Sequence, residues 1–533
     1  MSSFVGIRPL IRLILRRDRF LLPILTVLPA VMVGATAAAF VDLYPTAQAR
    51  EQFATIVATN PGITAFLGPL HGTSIGALTF WRTVIVAVML AALPGVFLVI
   101  RHTRAEEQAG RRELIGSTVV GRHAPLAAAL LVAATWSILM GAGVAAGLLA
   151  TGQPGAGSLI AGAAWAGLGL AGVGIGALTA QLFENPRTAR GVAGGILALA
   201  YVLRIVADVA RGSLAGLSWL SPIGWMHEMR AFDGDRWPVV GLFIGFAAVT
   251  TTAAAALSTR RDLDAGVWAT RPGPAVATRG LSSPNGLARR LHRGAFVGWT
   301  VGIAAYGVII GGLGPSMAHL LEDNPQLMEI LDRFGGEGAF IDIFLSAGLG
   351  FIGLIGAAYA VQAALRLRGE ELIGHAETVL STPVDRVRFA GSHALMASIG
   401  PALAILTGGL VAGIAYGVVT DDLAAQAPRL LLASAAYVPA ALVMGAVTVA
   451  LFGLLPRASS WAWALLVTFL LLGQLGPILG LPQMVMNLSP FTHTPAVPGA
   501  PLRIAPLVGL TVAAGALLAA GLYGFRRRDA AIG

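Results

Sequence analysis

The 533-residue chain contains no cysteine and no lysine. Without cysteine there is no disulfide and no thiolate for metal or redox chemistry. Without lysine the phosphate-binding loop G-x-x-x-x-G-K-[ST] cannot be written, so the chain carries no nucleotide motor of that kind. Charge is scarce as well: 12% of residues are charged, where soluble domains carry roughly 25%. No Ser/His/Asp set converges within the apolar segments, which argues against an intramembrane protease or a lipid- or polymer-handling membrane enzyme. His319 with Glu322 or Asp323, and His375 with Glu371, stand at helical spacing. Two ligands do not make a site, so no metal is expected.

What is present is apolar surface. Hydrophobic residues make up 56% of the chain, and the mean hydropathy is +0.77. Runs such as "LLPILTVLPAVMVGATAAAF" reach the ~20 residues a helix needs to cross a bilayer. Twelve such windows occur, near 20–40, 79–100, 124–150, 158–182, 189–207 and 237–258, then 295–314, 341–365, 389–418, 429–455, 459–479 and 504–524. The expected fold is therefore an all-α polytopic membrane protein. The first run is long enough to span and lacks a small-residue cleavage site, so it is expected to be retained.

The arginines give the expected sidedness. The N-terminal arm, the 101–122 and 366–388 loops, Arg187, Arg190, the 260–293 stretch, Arg457 and the tail hold 27 of the 36 arginines and 12 of the 26 acids. The opposite loops hold 9 arginines and 14 acids. The positive-inside rule places both termini and the 260–293 stretch in the cytoplasm. A net charge of +10 sorted in this way belongs to a membrane surface, and no nucleic-acid partner is expected. An arginine- and alanine-rich, lysine-free composition suggests GC-rich bacterial coding, hence a bacterial plasma membrane.

One charged sentence occurs twice. "RAEEQAGRRELIGSTVVGR" at 104–122 and "RGEELIGHAETVLSTPVDR" at 368–386 agree at nine of nineteen positions, 264 residues apart. Asn60-Pro61 and Asn324-Pro325 share that offset, and Pro186-Arg187 with Pro456-Arg457, Ser221-Pro222 with Ser489-Pro490, and Arg260-Arg261-Asp262 with Arg527-Arg528-Asp529 follow the same order. The chain thus reads as two tandem six-span repeats of parallel topology, 1–262 and 291–533, joined by a flexible Pro/Gly/Ser-rich linker, 263–290. In the repeated stretch Glu106, Gly110, Glu113 and Ser117 are spaced 4, 3, 4, as are Glu370, Gly374, Glu377 and Ser381. On a continuous helix they form one stripe, a glycine notch flanked by carboxylates.

The pattern of acid pair, Gly, Glu, Ser/Thr-Pro-Val and Arg resembles the cytoplasmic loop of ABC-2-type exporter permeases. The second copy keeps "STPVDR", whereas the first has Val119 in the proline's place. The whole chain, with "NLSPFTHTPAVPG" near its end, is similar to the duplicated twelve-span permeases of actinobacterial tetronasin, polyketide-antibiotic and multidrug exporters. That resemblance implies a coupling role toward a cytoplasmic ATPase for Glu106, Glu107, Gly110 and Glu113, and for Glu370, Glu371, Gly374 and Glu377. It implies two copies of a separate ABC ATPase, with ATP and Mg bound there and no cofactor or catalytic residue in this chain. It further implies basic elbow helices at "IRPLIRLILRRDRF" and "GLARRLHRGAF", and re-entrant outer turns at 208–236 and 480–503. The cavity for a lipophilic substrate would lie on the second and fifth spans, where Phe80 and Phe344 stand 264 residues apart. Phe97, Tyr201, Phe351 (whose counterpart is Ala87) and Phe469 are the other candidate lining residues. Arg204 and Asp208, four apart, read as an ion pair or gate near the outer end of the fifth span. The rival reading is a proton-coupled twelve-span secondary drug transporter, and the absence of an acid deep inside any span counts against it.

Overall fold

The structure is a computed structural model that describes residues 3–59, 63–64, 67–210, 212–262, 264–268, 276–322, 336–372, 374–475 and 482–528. Among these residues the long elements are all helices, and the one β feature is an isolated bridge between Phe183 and Trp268. Eleven helices are long and apolar enough to cross a membrane. The expected window at 459–479 corresponds to the helix Trp461–Leu475, whose apolar part, Trp461–Leu470, is shorter than a span; positions 476–479 of that window lie outside the described residues. Asn60-Pro61, Asn324-Pro325, Asp323 and Asp529 also lie outside them. The chain forms two compact units, Met1–Gly273 and Pro274–Gly533.

In the first unit α1 (Ile7–Arg17) turns its arginines outward and packs Ile14 against Ala128, Ala129 and Val132. It breaks at Asp18, whose buried carboxylate is held by Arg101 at 2.9 Å and by His102, and α2 (Leu21–Leu43) follows. After α3 (Ala47–Thr59) comes the second span, α4 (Ile75–Gln108), capped by Ser74, whose hydroxyl accepts from the Ala77 N–H. Pro94 has no N–H to offer four residues back, and a π-helical turn, Val88–Ala92, precedes it inside α4. The short α5 (Arg111–Gly116) leads to α6 (Ala124–Ala150), α7 (Gly155–Leu182) and α8 (Pro186–Ala210). The short α9 (Pro222–Glu228) precedes α10 (Val240–Arg260). The α7 helix runs through the middle of the unit, with Trp165 and Leu168 fully buried. Its rows of small residues let backbones touch: a Cβ on Gly141 of α6 would stand 2.3 Å from the Gly162 carbonyl, and one on Gly162 would stand 2.4 Å from that of Gly141. Lipid offers no hydrophobic drive between helices, so such close packing carries their association.

The second unit comprises α11 (Pro284–Glu322), α12 (Gly336–Leu372), α13 (His375–Leu380), α14 (Arg386–Val419), α15 (Leu423–Ala435), α16 (Val438–Leu454), α17 (Trp461–Leu475) and α18 (Ile504–Arg527). The elbow expected at "GLARRLHRGAF" is not a separate helix here but the first turns of α11. No buried acid stands there to bend the chain as Asp18 does in the first unit. The core is formed by Leu349, Ile352, Tyr359, Ile405, Met444 and their neighbours.

Candidate functional site

The repeated stretch does not form a single helix. In each copy the acid pair ends the long helix (α4 or α12) and a glycine then turns the corner into a short helix. Gly110 has φ 67° and ψ −4°, and Gly374 has φ 81° and ψ −1°, the left-handed region. An L side chain is disfavoured there, which is why glycine recurs. The 4-3-4 spacing is therefore a corner and not a stripe, and no notch exists: nothing lies within 4 Å of a Cβ placed on either glycine. The two corners match bond for bond. The Gly110 N–H donates to the Glu107 carbonyl at 2.8 Å, and that of Gly374 to Glu371 at 3.0 Å. Thr118 and Thr382 donate to the carbonyls of Ile115 and Val379, each at 2.6 Å.

The second acid of each pair is turned inward. Glu107 is 2% exposed, and Arg261, just past α10, clasps both its oxygens at 2.9 Å. Arg104 and Arg112 pair with the same carboxylate. Arg104 also donates to the carbonyls of Phe183 at 2.7 Å and Ala265 at 2.6 Å, and Arg261 donates to Gln181 Oε1 at 2.7 Å. This cluster ties the basic ends of α4, α7 and α10 together. In the second unit Arg528, just past α18, donates to Glu371 Oε2 at 2.7 Å, its guanidinium lying 4.5 Å from the centre of the Phe452 ring. Arg122 and Arg386, the last matched pair of the repeated stretch, each grip the end of the last long helix of their own unit, α10 and α18. Arg122 donates to the Thr259 carbonyl at 2.8 Å, and Arg386 to that of Arg528.

The first acids are paired too. Glu106 accepts from Arg111 at 2.7 and 2.9 Å and from Arg17 of the arm. Glu370 pairs with Arg366 at 3.2 Å and with His375 at 3.0 Å, so His375 meets Glu370 and not the Glu371 of the sequence reading. The outward groups lie on the short helices: Glu113, Leu114 and Ser117 on and just after α5, and Glu377 and Thr378 on α13. Leu114 is 72% exposed.

At the opposite end of the first unit Arg204 is fully buried, 3.2 Å from Asp208 and 4.6 Å from the Tyr201 ring centre. Gly68, at φ +91°, backs directly onto this group: a Cβ there would stand 2.1 Å from His227 Nε2 and 2.9 Å from Arg204 Nη1. His227 hydrogen-bonds the Leu67 carbonyl at 2.8 Å. Burial, reinforced by Arg204, pushes its pKa down to about 3. His71 is lowered to about 4, first by burial and then by Arg230. Arg204 and Asp208 are legible in the sequence from their spacing of four, whereas His227 lies in a separate segment that no local pattern marks. Ser221 seats the helix carrying it by accepting from the N–H groups of Ile223 and Gly224, and Ser489 plays the same part before Phe491.

The candidate cavity aromatics divide. Phe351 and Phe469 line one cavity of about 330 Å³ in the second unit, with Tyr437 and Phe491. Phe97 lines another of about 410 Å³ in the first, beside Arg101 and Arg190. Phe80 is buried in the first unit's core, and Phe344 and Tyr201 pack half-buried against the core of their respective units. Both second spans are wrapped by their own unit at those positions, and a shared offset in sequence carries no information about which way a ring points. Among the described residues no three His, Asp or Glu side chains cluster as a metal site.

The family described as "Multidrug efflux system permease Rv1217c, C-terminal domain" matches residues 22–258 and 281–526. The chain is 41% identical over 529 residues to the multidrug efflux system permease protein Rv1217c of Mycobacterium tuberculosis (strain ATCC 25618 / H37Rv), covering 99% of this chain and 96% of that protein. The chain belongs to this family of multidrug efflux permeases, multi-pass proteins of the membrane.

Proposed function

We propose that this multidrug efflux permease is the membrane subunit of an ABC-2-type exporter of the tetronasin and polyketide-antibiotic kind. A separate ATPase, in two copies, would drive amphipathic compounds out of the cell by alternating access. The observation that carries the reading is the corner built twice. Each presents a short helix outward, with Glu113 and Leu114 in one and Glu377 and Thr378 in the other, while arginine clamps tie the end of the long helix behind each corner to the end of the last span of its unit. A surface exposed in this way and rigidly backed suits the transmission of a push, since a docking element on a soft loop would absorb the motion. Two similar corners suit two similar sockets. The lysine-free sequence leaves the phosphate-binding loop to a partner, where ATP and Mg belong. The proposal places both termini in the cytoplasm, with parallel six-span repeats at 1–262 and 291–533 and the linker at 263–290.

The acids then divide the labour. Glu107 and Glu371 hold the corner, with Glu106 and Glu370 closing its edge; Gly110 and Gly374 make the turn; Glu113 and Glu377 face the partner. The test is co-purification of an ABC ATPase and its substrate-stimulated hydrolysis, for the native chain and for Glu113→Arg/Glu377→Arg. Reversing both outward charges should leave the fold intact and abolish coupling. Full coupling in that variant would sink the reading. So would substrate export by the purified chain alone in vesicles energised only by a proton gradient, which is the secondary-transporter outcome.

A further inference from the structure

A cavity of about 770 Å³ at the basic start of α11 has no part in the coupling corner. Its walls come from four segments of the second unit: residues 278–281 of the linker, the first turns of α11, Tyr359 of α12, and Met396 to Leu403 of α14. The linker wall is pressed close, since a Cβ on Gly286 would stand 1.7 Å from the Gly280 carbonyl.

The two ends of the cavity differ in chemistry. At the mouth stand the exposed side chains of Arg289, Arg290 and Arg293. None of the three has an ion-pair partner among the described residues. Three like charges within five residues repel one another, and an anion between them would relieve that repulsion. Along the floor lie Phe296, Met396, Ile399 and Leu403. Ile399 and Leu403 keep 44% and 47% of their surface open.

The lining also includes buried side chains with polar atoms that the protein leaves unpaired. The Tyr359 hydroxyl has no hydrogen-bond partner, although Tyr359 is wholly buried. It borders Gly400, where a Cβ would stand 2.5 Å from it. His292 Nδ1 is likewise buried and unpaired. The other ring nitrogen of His292 lies 3.2 Å from His393 Nδ1, so by choice of tautomer His292 Nδ1 either donates or accepts. An unpaired buried hydroxyl or imidazole is unfavourable unless something else satisfies it.

We infer that this cavity binds an anionic amphiphile. A phosphate or carboxylate head sits among Arg289, Arg290 and Arg293, its polar linkage meets Tyr359 and His292, and its chain runs over Phe296, Met396, Ile399 and Leu403. The volume is that of an ordinary small-ligand site. It accommodates a head group and the first part of a chain, and the remainder of the chain leaves over Ile399 and Leu403 into the bilayer. Two sources offer this chemistry: an anionic phospholipid of the surrounding leaflet, and a single-chain acid such as a fatty acid.

Native mass spectrometry of the full chain released from phosphatidylcholine nanodiscs separates the two. The discs are doped in turn with phosphatidylglycerol and with stearate. Retention of the first alone identifies a lipid site, retention of the second alone a site for single-chain acids, and retention of both a site read by the head. Whichever anion is retained should bind about thirtyfold more weakly in Arg289→Gln/Arg293→Gln, because each arginine near an anionic head is worth roughly a fivefold change. Leu403→Trp, which fills the floor from an already open position, should abolish retention while thermal stability stays that of the native chain. The inference is overturned if neither anion is retained, if phosphatidylcholine binds as tightly as phosphatidylglycerol, or if the double-arginine variant keeps native affinity. None of these outcomes depends on the ATPase.

Discussion

Glu107 and Arg261 stand 154 residues apart in sequence and exchange two parallel hydrogen bonds of 2.9 Å in a buried setting. Glu371 and Arg528, 157 apart, make the corresponding bond at 2.7 Å. A bidentate guanidinium–carboxylate pair is among the stronger polar contacts available, and removing one partner of a buried pair costs far more than the pair is worth. Glu107→Ala would leave Arg104, Arg112 and Arg261 without their shared anion, a cost of about 3–5 kcal/mol. Glu371→Ala strands Arg528, which is less deeply buried and keeps its place over the Phe452 ring. Thermal unfolding in detergent should therefore fall more for Glu107→Ala than for Glu371→Ala, with Arg261→Ala between them. Equal melting temperatures for all three variants and the native chain would show that the clamps do not hold the corner.

This ordering is not visible in the sequence, where the second copy, with its intact "STPVDR", is the one nearer the permease pattern and both acid pairs read as groups turned toward a partner. The positions of the spans, the acid pairs and the recurring glycines were legible because each follows from local composition or from repetition at a fixed offset. The corner was not, because a 4-3-4 spacing fits a helix and a helix–turn–helix equally well. Two signals pointed to it. One was a glycine kept at the same place in both copies; the other was the Arg-Arg-Asp that closes each half, with no local partner to explain it. What paired with those arginines lay some 150 residues away, and periodicity carries no information at that range.

Gly110 and Gly374 separate a turn from a packing notch. Each is left-handed, and each has open space where a Cβ would go. Substitution by alanine should cost only the backbone strain, about 1–2 kcal/mol per site. Asparagine, which tolerates this conformation, should cost less. Measured melting temperatures in the order Gly, Asn, Ala support the turn. A uniform and larger loss for both replacements would mean that the glycines accept a neighbour's side chain.

His227 makes stability depend on pH. Its pKa in the fold is about 3, against an ordinary 6.5, so the folded state binds this proton less readily than the unfolded chain does. The contribution is fully present above about pH 6.5 and is lost as pH falls from there toward 3, by about 1.4 kcal/mol per unit. His71, lowered to about 4, adds in the same direction. Melting temperature should thus drop between pH 6.5 and 4.5 more steeply in the native chain than in His227→Gln. Parallel slopes would remove His227 as the cause.

Sidedness can be read with single cysteines, since the native background has none. Asn285 is exposed on the first turn of α11, whereas Ser283 is occupied in accepting the Gly286 N–H. In intact cells Asn285→Cys should resist a membrane-impermeant maleimide and become reactive after lysis. A cysteine at Asp421, in the exposed turn after α14, should show the reverse. Labelling of Asn285→Cys in intact cells would invert the proposed topology.

The aromatics offer the clearest division between transport and stability. Phe351 and Phe469 line the same apolar cavity of about 330 Å³, and Phe351 retains 41% of its surface. Truncating either to alanine removes ring surface from the cavity without opening a void in the core, so the protein should fold normally. Export of amphipathic dyes should fall several-fold, and unequally from one dye to another, because a substrate surface is read differently by each compound. Phe80, in contrast, is 6% exposed within the first unit's core. Phe80→Ala should cost about 3–5 kcal/mol of stability and lower export of every dye in proportion to the protein lost from the membrane. Dye-efflux rates normalised to folded protein distinguish the two cases. If Phe351→Ala and Phe469→Ala leave all normalised rates at the native level, that cavity does not touch substrate. The lining must then be sought among residues that their spacing in the sequence does not mark.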